Sequence, residues 1–568
     1  MPAQRGTSGQ GCGQGSVPAD LRRAVRLDRG RQRPAVRELA RGPRFPRMEK
    51  LLSLSRLLDE ACRRRPDSLA VAAHDTRLTY AALRDLAARL AATFADAGLA
   101  GERVATLLPN GPQLLGCYLG CFGAGAIAVP FEYVDAPPEI RYGLADSGAR
   151  WLVVQDDKLA DLAAVDLTQT SVERVFVAGR MPEKGSAAPR IHCEPFAALA
   201  ASAPRDLPEV DPSALAFILY TSGSTALPKG VTHSHASAAG IVASVLDALP
   251  RIDARARIVV HDSVSHMGGW IETFPVLARG GTVVLARGFE VARFYDDLRA
   301  WRPTVLGAHV DHLWQIVRHP GAVRGDFASL DTVFTGGDEL PLPLQRAFLD
   351  LTGLPIQVGW GMTEAIWLTI AREPELRRRG SLGRPVANVE LRVVGPDGDD
   401  VAEGTSGELW VRGPMVTPGY WRRPEADRAV LADGWLRTGD LALRDADGSY
   451  WFTGRSKQVI ERSSENITPG EIEQALYRHP AVAEAAAFGV ADPDEGQVPV
   501  AYVTFAPGAS ASEDELKTFL ATQVAAFKIP VRILVTELLP LTHSGKIDHK
   551  ALAERFWLEA TTSPVPIE

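Results

Sequence analysis

Thr221, Ser222, Gly223, Ser224 and Thr225 stand in consecutive positions, and Pro228, Lys229 and Gly230 follow almost at once. Hydroxyls, backbone amides freed by glycine and one lysine make a loop that can wrap a polyphosphate. The run before it, Ala214 to Leu219, is apolar and reads as a buried strand. A strand feeding such a loop is the context phosphate binding needs. The loop is not a Walker loop, because its lysine follows a proline and no Gly-Lys-Ser/Thr closes it. An isolated Ser/Gly loop serves equally well as a plain polar turn. Lys229 and the motifs downstream weigh for phosphate.

Those motifs set further reactive side chains at the ends of apolar runs. DTVFTGGDEL, from Asp331 to Leu340, is a strand breaking into Gly336-Gly337. Glycines at a strand end let a flat ligand approach the backbone. GWGMTE, from Gly359 to Glu364, ends in an acid, and a carboxylate beside a triphosphate is suited to Mg²⁺. Alone, Glu364 would read as a solvated loop acid. GWLRTGDL, from Gly434 to Leu441, carries Asp440, whose two oxygens can accept from both hydroxyls of a ribose. HDSVSHMGGW, from His261 to Trp270, contains His266; a lone histidine is more often structural than catalytic. LPLTHSGKIDHKAL, from Leu539 to Leu552, sets Lys546 in a turn after Ser544-Gly545.

The elements that must position these residues alternate along the chain. Leu78 to Leu99 has apolar residues at helical spacing, with Gly98 suited to a C-terminal cap. Short strands are expected at Arg103 to Leu108, Ala124 to Pro130 and Trp151 to Val154, with Pro109-Asn110 turning between them. The apolar run Leu114 to Val129 falls short of the roughly 20 residues a membrane span needs and reads as a core helix running into a strand. Strands alternating with helices argue for a largely parallel α/β sheet. Ala160 to Asp211 is weakly patterned and reads as a surface excursion. Gly407 to Tyr420 gives short strands and turns, as in a small β-subdomain. After GRSKQVI, Gly454 to Ile460, strands at Val482 to Val490, Pro499 to Phe505 and Val531 to Val535 mix with helices at Glu471 to Tyr477 and Glu513 to Leu520, a small α+β domain.

Composition narrows the partners. The 568 residues are 46% hydrophobic and 23% charged, enough for several cores. The net charge is −7 with no basic stripe, which argues against nucleic acid. Cys12, Cys62, Cys117, Cys121 and Cys193 form an odd, scattered set that suits a reducing cytoplasm. Cys117 and Cys121 read as small buried apolar side chains rather than metal ligands. Residues 1–47 are dense in Arg, Gly and Pro and read as a disordered leader, or as sequence upstream of a true start at Met48. The expected division is then 48–456 for a large domain, 457–560 for a smaller one and 561–568 for a tail.

With these motifs in order, the chain resembles the adenylate-forming superfamily: acyl-CoA synthetases, firefly-luciferase-like enzymes and peptide-synthetase adenylation domains. The resemblance runs from about Leu51 to about Leu558. It implies a large N-terminal domain of stacked α/β sheets with a small β-subdomain, and a smaller, mobile α+β C-terminal domain. It implies that Thr221, Ser222, Gly223, Ser224, Thr225 and Lys229 hold the phosphates of ATP, with Thr225 taking part in catalysis. Gly336, Gly337, Asp338, Glu339, Gly359, Trp360, Gly361 and Met362 would line the adenine site, Trp360 as its platform. Thr363 would contact phosphate and Glu364 would hold Mg²⁺. Asp440 would take the ribose, Arg455 ribose and phosphate, and Lys546 would be the mobile catalytic lysine. His266, with Gly269, matches a substrate-gating His-x-x-Gly. His266, Trp270, Gly307, His309, Gly336 and Trp367 would line the pocket of a small carboxylic acid, compact or aromatic.

The implied reaction joins that acid to AMP with loss of pyrophosphate and then passes the acyl group to coenzyme A. The alternative is a stand-alone enzyme loading a carrier protein or another nucleophile; Asp262 resembles the amine anchor of amino-acid adenylation domains. A catalytically inactive relative is disfavoured by Lys229, Glu364, Asp440, Arg455 and Lys546. Ala226 in the phosphate loop, Gln458 at the hinge and Ser463-Ser464 before Glu465-Asn466 depart from the usual pattern.

Overall fold

A computed structural model describes residues 53–74, 76–182, 193–221, 228–337, 340–372, 380–462, 465–492, 495–541 and 547–562. Ser222, Gly223, Ser224, Thr225, Ala226, Asp338, Glu339, Ser463, Ser464 and Lys546 lie outside these described residues.

Three sheets organise the described chain. The first pairs Arg103–Leu107 in parallel with Ile127–Pro130 and Trp151–Gln155, and reaches Leu215–Thr221 through Ile127–Pro130. The second has a parallel stretch in which Thr282–Leu285, Arg257–Val260, Val305–Gly307, Thr332–Gly336 and Gln357–Met362 lie side by side. Such strands are buried on both faces, so they read as short continuous apolar runs such as VVL and IVV.

Helices Tyr80–Asp96, Pro112–Ala124, His235–Ala248 and Met267–Ala278 share one core with residues of both sheets. Pro112–Ala124 carries no charge and is buried almost throughout. A helix apolar all round must be enclosed on every side, and Gly125 closes this one in the left-handed conformation at φ +69°. Within this core Trp270 lies 4.6 Å from Phe274 and 5.3 Å from Phe217, centroid to centroid. Each such aromatic pair adds roughly 0.5–1.5 kcal/mol to the burial itself.

The expected β-subdomain is present, and it is continuous with the second sheet. Ser381–Pro385 pairs with Ala365–Ala371 on one side and with Tyr450–Arg455 on the other. Trp435–Arg444 and Gly407–Arg412 extend the sheet further. Gly407–Arg412 buries alternate residues, as a half-buried antiparallel strand must.

One expectation is corrected. The stretch after Ala160 is not only a surface excursion: Arg174–Ala178 pairs in parallel with Trp151–Gln155 and buries Val175, Phe176 and Val177. Its five residues are too short a signal to separate from their polar flanks.

A five-stranded sheet with helices Pro469–Leu476 and Glu513–Leu520 makes the C-terminal α+β unit. Ile460, Ile472, Leu476, Val503, Leu516 and Leu520 fill its own core. Ser512 and Glu515 form a capping box at the second helix, worth about 1 kcal/mol. Among the described residues no helix is long and apolar enough to cross a membrane.

Candidate active site

The carboxyl ends of the parallel strands in the second sheet face one region, the edge at which open α/β sheets take ligands. A cleft of about 620 Å³ opens there. Thr221, Gly337, Gly359 to Glu364, Asp440 and Arg455 line it from one side. Glu473, Tyr477, Leu541, Ile547 and His549 line it from the C-terminal unit. Leu541 and Ile547 bridge to each other and flank the segment that holds Lys546.

Each lining residue is placed by a local device. Thr221 and Lys229 are cross-strand partners, so the phosphate loop leaves and rejoins the first sheet at one point. Met362 pairs with Ala365, which leaves Thr363 and Glu364 as the two residues of a tight hairpin turn. Gly359 lies flat on the Trp367 ring, where an added Cβ would come within 2.8 Å. Asp440 and Arg455 are partners across adjacent strands.

The polar groups of this cleft are engaged with one another. Trp360 donates its indole N–H to Asp440 Oδ2 at 3.2 Å. Arg455 Nε lies 3.1 Å from Asp440 Oδ1. The Tyr420 hydroxyl donates to Glu364 Oε1 at 2.7 Å, and its ring lies 5.3 Å from the Lys229 ammonium. Burial, then the Glu364 carboxylate, pushes the Tyr420 phenol well above its ordinary range, so it stays a donor. His233, buried in the strand after Lys229, has its pKa pushed down to about 4 by burial. Its neutral ring donates Nε2–H to the Thr363 carbonyl at 2.8 Å. The Thr417 amide donates to the Glu364 carbonyl at 2.7 Å. The Thr363-Glu364 turn is therefore held from two sides.

A second group of polar residues gathers beside this cleft, at the ends of Arg257–Val260 and Val305–Gly307. His309 Nε2 lies 3.0 Å from Asp262 Oδ2, and His312 Nδ1 lies 3.7 Å from Oδ1. Against the upward pull of burial, the hydrogen bond and charge of His309, then His312 and His266, hold the Asp262 carboxyl below its ordinary range. His266 caps the Met267–Ala278 helix, its Nδ1 accepting from the Gly268 amide at 3.2 Å. Asn110 pins the segment by donating to the Asp262 and Ala286 carbonyls and accepting from the Val264 amide. Glu272 reaches Gly307 from the same helix.

Of the residues singled out from sequence, Thr221, Lys229, Gly337, Gly359, Trp360, Gly361, Met362, Thr363, Glu364, Asp440 and Arg455 come together at the cleft. Gly336 ends the neighbouring strand. His266, Gly307 and His309 gather around Asp262 and Glu272. Trp270 and Trp367 are buried, Trp270 among core aromatics and Trp367 edge-on to Phe334. Sequence reasoning missed Asn110, His233, Glu272, His312 and Tyr420 as site residues. The histidine-rich VTHSH after Lys229 was the one signal available for His233.

Glu364 is a carboxylate lining the cleft, and the described residues include no group of three or more His, Cys, Asp or Glu able to hold a metal by themselves. That donor set fits Mg²⁺, which binds through one or two carboxylates and the phosphates of its substrate.

The family model for AMP-binding enzymes matches residues 58–421, and that for the AMP-binding enzyme C-terminal domain matches 471–546. A feruloyl-CoA synthase of Amycolatopsis sp is 35% identical over 496 residues, 86% of this chain and 96% of that one. An indoleacetate–CoA ligase of Aromatoleum aromaticum is 33% identical, covering 87% of this chain and 96% of its own. The crystal structure of ATP-bound MatB from Rhodopseudomonas palustris superposes with a TM-score of 0.77 at 26% identity, over 88% of this chain and 99% of that one. The chain belongs to the family of AMP-binding, adenylate-forming enzymes.

Proposed function

We propose that this enzyme, an AMP-forming acid–thiol ligase, activates a compact, ring-bearing carboxylic acid with ATP and Mg²⁺ and passes the acyl group to coenzyme A. The observation that carries the reading is the cleft itself. It joins the strand of the first sheet that leads into the phosphate loop with the Trp360–Asp440–Arg455 group and the Glu364 turn of the second.

A carboxylate is a poor electrophile. Its oxygen attacks the α-phosphorus of ATP, a P–O bond forms, and pyrophosphate leaves with the electrons of the bond that breaks. Both reactants are anionic, so catalysis requires positive charge and fixed donors where charge gathers. In this reading Lys229 and Lys546 supply that charge, and Thr221 to Thr225 supply hydroxyls and amides. Asp440 and Arg455 hold the ribose, and Trp360 meets the adenine. Glu364 would hold Mg²⁺, which when bound offsets charge on the phosphates. Tyr420 and His233 keep the Glu364 turn in place. The thiol of coenzyme A then attacks the acyl carbon, and AMP leaves.

The ring-bearing acid is supported by the names of the two relatives, feruloyl-CoA synthase and indoleacetate–CoA ligase. His266, Gly307 and His309 bound the acid in this reading, with Phe334 and Trp367 beside them. An amino acid is disfavoured because its expected anchor, Asp262, is already engaged by His309 and His312. The boundary between adenylating and mobile domains falls near Gln458, and the buried thiols Cys62, Cys117 and Cys121 suit a cytoplasmic enzyme.

Acid-dependent pyrophosphate release tests the reading. Lys546→Ala should lower it by a factor of about 100 or more, because a charge aimed at the transition state is lost. Unchanged release in that variant overturns the assignment. Coenzyme A added to enzyme carrying preformed acyl-AMP should consume it within one turnover. Persistence of the adenylate would point to a carrier-bound thiol instead.

A further inference from the structure

The ends of strands Arg257–Val260 and Val305–Gly307 hold a carboxyl group that adenylation does not use. Gly268 and Glu272 lie one helical turn apart and so share a face of Met267–Ala278. A Cβ on Gly268 would face Asp262 Oδ2 at 3.3 Å and His309 Nε2 at 3.8 Å. Glu272 points to the same wall. It is 3% exposed, and its Oε2 is shut from solvent with no hydrogen bond among the described residues. Its Oε1 lies against Gly307, where an added Cβ would come within 2.0 Å of it.

The helix neighbours Ile271 and Phe274 are ordinary core residues. Packing alone would be served by a leucine. A buried polar group without a partner costs roughly 1–3 kcal/mol, and Glu272 Oε2 has no hydrogen-bond partner among the described residues. Burial, reinforced by the Asp262 charge, pushes the Glu272 carboxyl well above its ordinary range, which favours its protonated, neutral form.

We propose that Glu272 determines which acid is activated, by hydrogen-bonding a hydroxyl group at the end of the substrate remote from its reacting carboxylate. The inference rests on the functional reading above, in which the acid lies along these strand ends beside the nucleotide cleft. A carboxyl that keeps its proton both donates and accepts, as a hydroxyl does. An ammonium group is a poorer match. It would require Glu272 to ionise beside the Asp262 anion, and the imidazoles of His309, His312 and His266 already surround that charge.

The experiment compares matched acids that differ only in the hydroxyl: 4-hydroxycinnamate with cinnamate, 4-hydroxyphenylacetate with phenylacetate, and 4-hydroxycyclohexanecarboxylate with cyclohexanecarboxylate. 4-(Aminomethyl)benzoate serves as the cationic probe. Pyrophosphate release gives kcat/KM. In at least one pair the hydroxylated acid should be favoured by about tenfold or more, because a site built to pair a hydroxyl rejects the analogue that leaves it unpaired. Glu272→Ala should bring that ratio to within about twofold of unity, with the KM for ATP unchanged. Glu272→Gln should keep the preference, since an amide also donates and accepts. Equal use of both members of every pair, a preference that survives Glu272→Ala, or selection of the ammonium acid overturns the proposal.

The same pairs are also measured by equilibrium binding to the unaltered and Glu272→Ala proteins, each checked by thermal melting. If no acid releases pyrophosphate, the adenylation reading fails by itself. The binding arm then still decides on Glu272: a hydroxyl preference lost in Glu272→Ala supports it, and equal binding of the pairs overturns it.

Discussion

The nucleotide cleft and the cluster around Asp262 lie on neighbouring strand ends of one sheet, yet they treat polar groups differently. In the cleft the key groups are tied to each other: Trp360 and Arg455 to Asp440, Tyr420 to Glu364, His233 to the Thr363 carbonyl. In the cluster Asp262 is satisfied by His309, but Glu272 Oε2 is buried with no hydrogen bond among the described residues. The first arrangement fixes donors and acceptors in advance, which lowers the cost of organising them around a ligand of constant shape. The second leaves a carboxyl oxygen without a hydrogen bond among the described residues. A constant co-substrate and a selected substrate call for these two solutions.

Removing the centre of each region tests whether they act separately. Asp440→Ala should have the largest effect, a rise in the KM for ATP of about 100-fold, because two donors as well as the ribose lose their acceptor. The KM for the acid should move by less than about threefold. An equal rise in both, measured by pyrophosphate release, would dissolve the distinction. Asp262→Ala is the mirror experiment. It should lower kcat/KM for the acid by about tenfold with the KM for ATP nearly constant, and lower the melting temperature, since it strips His309 and His312 of the carboxylate beside them. Retained acid kinetics in a folded variant would reduce the cluster to packing.

Tyr420→Phe sharpens the nucleotide side. It deletes one hydroxyl at Glu364 and keeps the ring beside Lys229. The loss should be about 1 kcal/mol, or roughly fivefold in kcat/KM for ATP, with the acid KM unmoved. An effect beyond 100-fold would place the hydroxyl in the reaction itself.

The remaining expected effect is on stability rather than on kinetics. Burial pushes His233 and His235 down to about 4. In the unfolded chain both take up protons near pH 6.5, but the folded protein holds them neutral until about pH 4. Stability therefore falls as pH drops through that window, by about 1.4 kcal/mol per histidine at pH 5.5. Melting temperature should decline by a few degrees between pH 7 and pH 5.5, and His235→Asn should flatten that decline. A rise in melting temperature over the same interval would contradict the buried neutral rings.

The sequence by itself determined the order of elements and the nucleotide motifs. Apolar runs of four to seven residues bounded by Gly, Pro and Asn marked Arg103–Leu107, Leu215–Thr221 and Thr332–Gly336, because strands buried on both faces must be apolar without interruption. Thr221, Lys229, Glu364, Asp440 and Arg455 were legible because each sits in a short contiguous motif whose spacing is set by one loop. Arg174–Ala178 was not, because five apolar residues in a polar stretch carry little signal until a neighbouring strand pairs with them. Tertiary structure alone decided the partnerships between distant residues: Trp360 with Asp440, Tyr420 with Glu364, Asn110 with Asp262, and Glu272 against Gly307. Each joins residues separated by dozens to more than a hundred positions. A carboxyl group in an apolar helix looks the same in sequence whether it meets solvent, a histidine or a glycine's bare backbone. Only the crossing of that helix over the strand end determines which it meets, and hence whether the group is satisfied or left waiting for a ligand.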